Sequence, residues 1–374
     1  MNAFVSLVAV VALLLLAYLG VAGLQLHVLF GVVVPYVALL LFLGGVVYRV
    51  MKWASVPVPF RIPTTCGQQK SLPWIKHSKL ENPASTAGVV GRMALEVLLF
   101  RSLFRNTRTE VHREGPKVVY HPTYWLWLGA LAFHYCFLTV FVRHFRFFVP
   151  PACAPGQSAD WCSDSSLVAG VWHGLGVLEG VDGFLQVGAP PVLVSGVVLL
   201  AAVTYLLLRR FVIPQVRYIS LASDYFPLFL IIGIASTGLL LRHFVRTDIE
   251  AVKALGYGIA SFAPLFGGEQ WAAFLHPVRG SGAAPVVGLP DIHWLFFGHL
   301  LLVSTLFAYF PFSKLMHMGG VFLSPTRNMA NTNRAERYDV GWSVRHPVPV
   351  HSYEEWEDEF REKMKMVGIP VDKE

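Results

Sequence analysis

Apolar residues fall in six long blocks along this chain, at about 1–19, 28–48, 122–148, 191–208, 225–241 and 293–312. An α-helix rises 1.5 Å per residue, so about 20 apolar residues cross the roughly 30 Å hydrocarbon layer of a bilayer. Each block is therefore predicted to be a membrane-spanning helix. The first block opens without Lys or Arg and shows no clear small-residue cleavage site, so it reads as a span and not as a cleaved leader.

The polar stretches between the blocks carry contrasting charge. Residues 49–121 hold twelve Lys and Arg, among them Arg49, Lys52, Arg61, Arg105, Arg108 and Lys117, whereas 150–190 hold none and carry Asp160, Asp164, Glu179 and Asp182. Positive charge stays inside, which puts 49–121, the loop after Arg209 and Arg210, and both termini in the cytoplasm. The stretches 150–190 and 242–291 are outer loops on this reading. Within the first cytoplasmic insert, 89–104 alternates apolar residues with Arg92, Glu96 and Arg101 at helical spacing, which predicts one amphipathic helix on the inner membrane face. The Pro-rich piece from Pro57 reads as an irregular, ordered loop. The apolar run SLVAGVWHGLGVLEG reads as a helix resting on the outer face. In the polar tail, Ser352 and Glu355 have capping-box spacing and Gly368 with Pro370 gives a stop, so a charged helix is predicted over 353–367.

The expected fold is an all-α membrane protein of six transmembrane helices with a soluble C-terminal tail. Its expected parts are a first span at 1–27, a helical core at 28–317 with the cytoplasmic insert 49–121, and a cytoplasmic tail at 318–374. Composition agrees. Of 374 residues 55% are hydrophobic and 14% charged, and the mean hydropathy is +0.54, which excludes an ordinary soluble enzyme. The net charge of +7 clusters beside spans and reports topology, so no nucleic-acid partner is expected; membrane lipid is. Cys66, Cys136, Cys153 and Cys162 form no CxxC pair, which excludes a zinc ribbon, an iron–sulfur cassette and a covalent c-type heme site. Cys153 and Cys162 share one loop, either as a disulfide or as two thiols; Cys136 reads as packing.

The chemistry sits in two of the apolar blocks. The stretch FHYCFLTVFVRHFRFF holds His134 and His144, and HLLLVSTLFAYFPFSKLMH holds His299 and His317. An imidazole in hydrocarbon is costly, so an intramembrane histidine is a functional-site candidate. The two spans run in opposite directions. The pairs that can meet are therefore His134 with His317 on the cytoplasmic side and His144 with His299 on the outer side. Two spans with two histidines each suggest four axial ligands for two b-type hemes. Satisfied core histidines, or histidines lining a channel, are the competing reading. Spacing gives a mixed check: ten residues of helix span about 15 Å and eighteen about 27 Å, so two straight parallel rods do not match, and either tilted helices or a bend near Pro311 would reconcile them.

These residues resemble a known family. FHYCFLTVFVRH is similar to the second-helix ligand motif of the respiratory nitrate reductase gamma subunit, a diheme cytochrome b. PFSKLMH is similar to its last-helix motif, and RRFVIPQVR to a cytoplasmic loop of that family. The likeness covers the five helices of 28–317. The extra first span, the insert with TTCGQQKSLPW and FRSLFRNTR, and the larger outer loops look like the membrane cytochrome b subunits of DsrMKJOP complexes, which accompany dissimilatory sulfite reductase.

The resemblance implies two b-type hemes on His134, His317, His144 and His299, with menaquinone or menaquinol as substrate. It implies a cytoplasmic iron–sulfur partner similar to a heterodisulfide reductase subunit, DsrK, and further subunits DsrJ, DsrO and DsrP. The chain would then be an electron-transfer subunit of a quinone-linked oxidoreductase in the cytoplasmic membrane, with no catalytic residue of its own. A quinol would sit near the outer heme. Arg143, where that family has a small residue, would touch a propionate or the quinone oxygen, or else snorkel to lipid phosphate. Quinol oxidation releases protons, and His173, Glu179, Asp182 and His243 are the outer-side candidates to take them; His173 comes first among them, though it reads more readily as an exposed loop histidine. Rival readings are the cytochrome b subunit of a heterodisulfide reductase and a heme-free transporter or proton channel.

Overall fold

The computed structural model describes residues 2–56, 78–112, 115, 117–148, 167–183, 192–266, 268–275, 288–330 and 352–373. Helices α1 (Asn2–Tyr18) and α2 (Val34–Ala54) are each continued by a short π-helical turn, Leu19–Gly23 and Leu29–Val33. Helices α3 (Thr86–Leu99) and α4 (Arg101–Phe104) lead into an antiparallel hairpin, β1 (Thr107–His112) and β2 (Lys117–Pro122), paired from Thr107 with Pro122 to His112 with Lys117. Then come α5 (Tyr124–His144), α6 (Leu167–Asp182), α7 (Val194–Val212), α8 (Pro214–Ile219) and α9 (Ala222–His243). The remaining elements are α10 (Ile249–Ser261), α11 (Ala263–Phe266), α12 (Gly268–Leu275), α13 (Trp294–Tyr309), α14 (His317–Leu323), α15 (Pro325–Asn328) and α16 (Tyr353–Met366).

Six helices among the described residues are long and apolar enough to cross a membrane: Asn2–Gly23, Leu29–Ala54, Tyr124–Phe147, Val194–Val212, Ala222–His243 and Trp294–Phe312. All six expected spans are present, and the protein is an all-α, multi-pass membrane protein. The chain divides into two compact units. One is Met1–Pro57 with Glu96–Gly319, and it holds every span; the other is Val58–Leu95 with Gly320–Glu374.

In the first unit, α5 packs chiefly on α7, α7 on α9, and α13 on α1, α2 and α9. Lipid tails are as apolar as leucine, so close packing of small residues, and not transfer from water, holds such helices together. Gly298 takes Leu14 and Ala17 of α1, and Gly45 of α2 takes the ring of Pro311, where a Cβ would lie 2.7 Å from the Pro311 Cβ. The first span does not stand apart from the other five. Ala17 and Val21 join Phe30, Leu255, Leu289 and Phe297 in one buried cluster, and Val10 joins Val203, Leu230, Ile231 and Leu302 in another.

Three local structures differ from expectation. The helix expected over 89–104 is broken at Phe100, whose backbone is left-handed (φ 49°, ψ 47°). The stretch 242–291 is not simply a loop: Asp248 caps α10, its carboxylate accepting from the Ala251 N–H at 3.0 Å. The hairpin was not expected, and its strands are mostly exposed. Helices form in the run SLVAGVWHGLGVLEG, as α6, and in the tail, as α16. Ser352 accepts from the Glu355 N–H at 3.2 Å while its own N–H donates to Glu355 Oε2 at 2.9 Å. The irregular piece from Pro57 and the Cys153–Cys162 question lie outside the described residues; Cys136 is a free thiol.

Candidate functional site

The four histidines meet in the pairs that antiparallel spans require. The rings of His144 and His299 have centroids 6.3 Å apart and planes 18° apart. Those of His134 and His317 are 6.0 Å and 85° apart. An imidazole nitrogen binds a first-row metal at about 2 Å, and the ring centre lies roughly 1 Å behind it. Two imidazoles gripping one iron from opposite sides therefore have centroids about 6 Å apart, and both pairs fit that spacing.

Each ring is also oriented through its Nδ1. That nitrogen lies 2.8 Å from the Ala130 carbonyl in His134, 2.6 Å from the Val140 carbonyl in His144 and 2.9 Å from the Lys314 carbonyl in His317. In His299 it lies 2.9 Å from Thr237 Oγ1. A carbonyl only accepts, so in the first three rings Nδ1 carries the proton and Nε2 keeps its lone pair. This is the arrangement a metal-ligating histidine needs. Among the described residues no group of three or more His, Cys, Asp or Glu is gathered to hold a bare metal ion.

The helix that carries His299 does not reach His317. Helix α13 ends at Tyr309, ten residues past His299, which matches the ten residues from His144 to His134. Pro311 and Ser313 then turn the chain through two 3₁₀ segments, Phe310–Phe312 and Lys314–Met316, and His317 follows. The eighteen-residue helical ladder is thus replaced by about 15 Å of helix and a turn. Lys314 Nζ donates to Asp224 Oδ1 at 2.7 Å, pinning that turn to the start of α9.

The His134–His317 pair is further framed by Phe100. Its ring stands edge-on to His134 at 4.9 Å. The carbonyls just before it accept from α5: Leu99 from Trp127 Nε1 at 2.7 Å and Leu98 from the Tyr135 hydroxyl at 2.9 Å. A left-handed conformation costs a bulky residue about 1–2 kcal/mol, which these contacts offset. Sequence reasoning gave no sign of Phe100, Thr237 or Lys314.

Next to His144 in sequence, Arg143 is ion-paired with Asp182, and both are buried, at 8% exposure each. Ser195 completes the knot: its N–H donates to Asp182 Oδ1 at 2.7 Å, its hydroxyl to Oδ2 at 2.6 Å, and Arg143 reaches the same hydroxyl at 3.2 Å. Glu179 pairs with Arg146 at 2.7 Å and with Arg242 at 3.6 Å. Burial opposes the charge on Glu179, but the Arg146 hydrogen bond and the three surrounding guanidinium charges prevail and hold its carboxyl below the usual range. His173 is exposed on α6. His243 has a buried Nε2 with no hydrogen-bond partner. A cavity of about 510 Å³ lies beside this cluster, between Val142, Phe145 and Phe148 on one side and Val171, Leu175 and Leu178 of α6 on the other.

Six apolar helices with four histidines in two pairs define a membrane protein of the cytochrome b-like class. Residues 185–332 match the family described as nitrate reductase gamma subunit. The chain is 40% identical over 321 residues to the Hdr-like menaquinol oxidoreductase cytochrome b-like subunit of Archaeoglobus fulgidus, covering 85% of this chain and 84% of that protein. It is 36% identical over 320 residues to the subunit of the same description in Archaeoglobus profundus, covering 84% and 83%. The chain belongs to the family of these Hdr-like menaquinol oxidoreductase cytochrome b-like subunits.

Proposed function

We propose that this chain is the diheme b-type cytochrome subunit of a menaquinol oxidoreductase complex in the cytoplasmic membrane, with both termini cytoplasmic. It passes electrons between the quinone pool and a cytoplasmic iron–sulfur subunit in sulfite-reduction-linked sulfur metabolism. The observation that carries this reading is the two facing imidazole pairs, each spaced for one iron and each leaving Nε2 bare. A pair of imidazoles is too few ligands for a bare ion and the right number for an iron already held by a porphyrin. The hemes supply one-electron chemistry within the membrane; the chain supplies ligands, a low-dielectric setting and orientation. His134 and His317 hold the inner group, His144 and His299 the outer.

The quinone site lies beside the outer pair. The apolar cavity against α6 takes a quinone; the unpartnered nitrogen of His243 is the base free to receive a proton, whereas Glu179 is held charged by Arg146 and Arg242. His173 relays to the outer surface. Arg143 and Asp182, engaged with each other and with Ser195, hold α6 against α5 and α7, which shapes the cavity wall. The partner is an iron–sulfur subunit of the heterodisulfide reductase kind, DsrK in the complexes whose M subunit this sequence resembles, with DsrJ, DsrO and DsrP. The wording Hdr-like in the relatives' description supports that partner type and equally suits the cytochrome b of a heterodisulfide reductase.

A reduced-minus-oxidised spectrum of the purified chain tests the reading. Two b-type hemes per chain, reducible by menaquinol, are expected. A chain free of heme is instead a transporter or proton channel, and the electron-transfer reading falls. Co-purification with its neighbours identifies the complex.

A further inference from the structure

Three of the four ligand imidazoles are oriented by carbonyls of the chain just before them. His299 is not. Its Nδ1 meets the hydroxyl of Thr237, a buried residue on the neighbouring helix α9. That hydroxyl also lies 2.7 Å from the Gly233 carbonyl and 3.1 Å from the Ile234 carbonyl. A hydroxyl has one proton and carbonyls cannot donate. The proton therefore goes to the α9 backbone, and the lone pair left over faces His299. His299 must then donate from Nδ1, which leaves Nε2 bare. The next residue, Gly238, clears the path: a Cβ there would sit 3.3 Å from His299 Cε1, tighter than the ring tolerates without moving.

We propose that Thr237 is a positioning residue for the outer heme, fixing the tautomer and plane of His299 and setting how strongly its Nε2 donates to iron. The inference rests on the diheme reading above. Main-chain carbonyls cannot be removed by substitution, and the Ile234 carbonyl, which also hydrogen-bonds His299, survives any change at Thr237; the Thr237 hydroxyl is the part of this support that a side-chain change deletes. An acceptor on Nδ1–H raises the basicity of Nε2 and favours oxidised iron. Removing it favours reduced iron.

The test is a redox titration of the purified chain, following both hemes optically and the ferric forms by electron paramagnetic resonance. Thr237→Val keeps the shape and removes the acceptor. The midpoint potential of one heme should rise while the other stays in place, and the heme that moves should be the one abolished by His299→Ala. Thr237→Ser should restore the original value. Loss of that one heme in Thr237→Val, with recovery in Thr237→Ser, supports the same role. Two hemes with unchanged potentials and unchanged ferric signals in Thr237→Val overturn the role of Thr237 and leave the diheme reading standing. A wild-type chain without heme overturns both.

Discussion

The rings of His134 and His317 stand nearly perpendicular, at 85°, while those of His144 and His299 lie nearly parallel, at 18°. Ring planes set how ligand π orbitals split the iron d orbitals, so two otherwise similar sites should differ spectroscopically. Two distinct low-spin ferric signals are expected from the loaded protein. His317→Ala should remove the signal of the perpendicular pair and halve the heme content, leaving the parallel pair intact. Heme quantification and electron paramagnetic resonance on that variant check both points; retention of two hemes would contradict the pairing.

Pro311 sets where His317 sits. It stops α13 at the level of His134, and its ring seats against Gly45. Pro311→Ala restores a backbone donor and lets the helix run on, carrying His317 away from His134. Occupancy of the inner heme should fall while the outer heme remains. Asp224→Ala, which frees Lys314, should act in the same direction and more weakly. Heme content against protein content measures both.

How much of this was legible depended on where the information sits. The alternation of successive spans made the third and sixth antiparallel, and that relation alone chose which histidines could meet. The mismatch between ten-residue and eighteen-residue spacings was legible too, but it left tilted helices and a bend near Pro311 both open; the helix stop needs Gly45 and the Ser313 turn to be seen. The hairpin left no alternating pattern because its strands bury so little. Helix α10 was readable, with Asp248 as cap and Ala251, Val252 and Leu255 on one buried face, but it lay in a stretch taken for an outer loop. Phe100 and Thr237 act through contacts distant in sequence, which no local pattern encodes.

The knot of Arg143, Asp182 and Ser195 joins the three helices α5, α6 and α7. Breaking a buried pair leaves one charge uncompensated, which costs about 3–5 kcal/mol, whereas replacing both partners by apolar groups is much milder. Arg143→Leu and Asp182→Leu should each lower thermal stability sharply, and the double variant should be more stable than either. Unfolding of the detergent-solubilised protein decides this. Simple additivity of the two losses would mean that the pair is not coupled.

The tail carries its own pH-sensitive clasp. Glu357 is buried at 1% exposure on α16, and its carboxylate accepts from the backbone N–H groups of Asp372 at 2.9 Å and Lys373 at 3.0 Å. Those two donors, with Arg361, hold its carboxyl below the ordinary value against the opposing effect of burial. A carboxyl lowered in the folded state contributes fully above its unfolded value of about 4.3, and the contribution is lost as pH falls through the lower folded value. Protection of the Asp372 and Lys373 amides from hydrogen exchange, corrected for intrinsic rates, should therefore be level from about pH 8 to 5 and fall only in stronger acid. Glu357→Gln keeps the shape and removes the charge, so its amides should be less protected throughout and show no acid step. Equal protection in the variant and the wild type would mean that the segment after Val367 is held by packing alone.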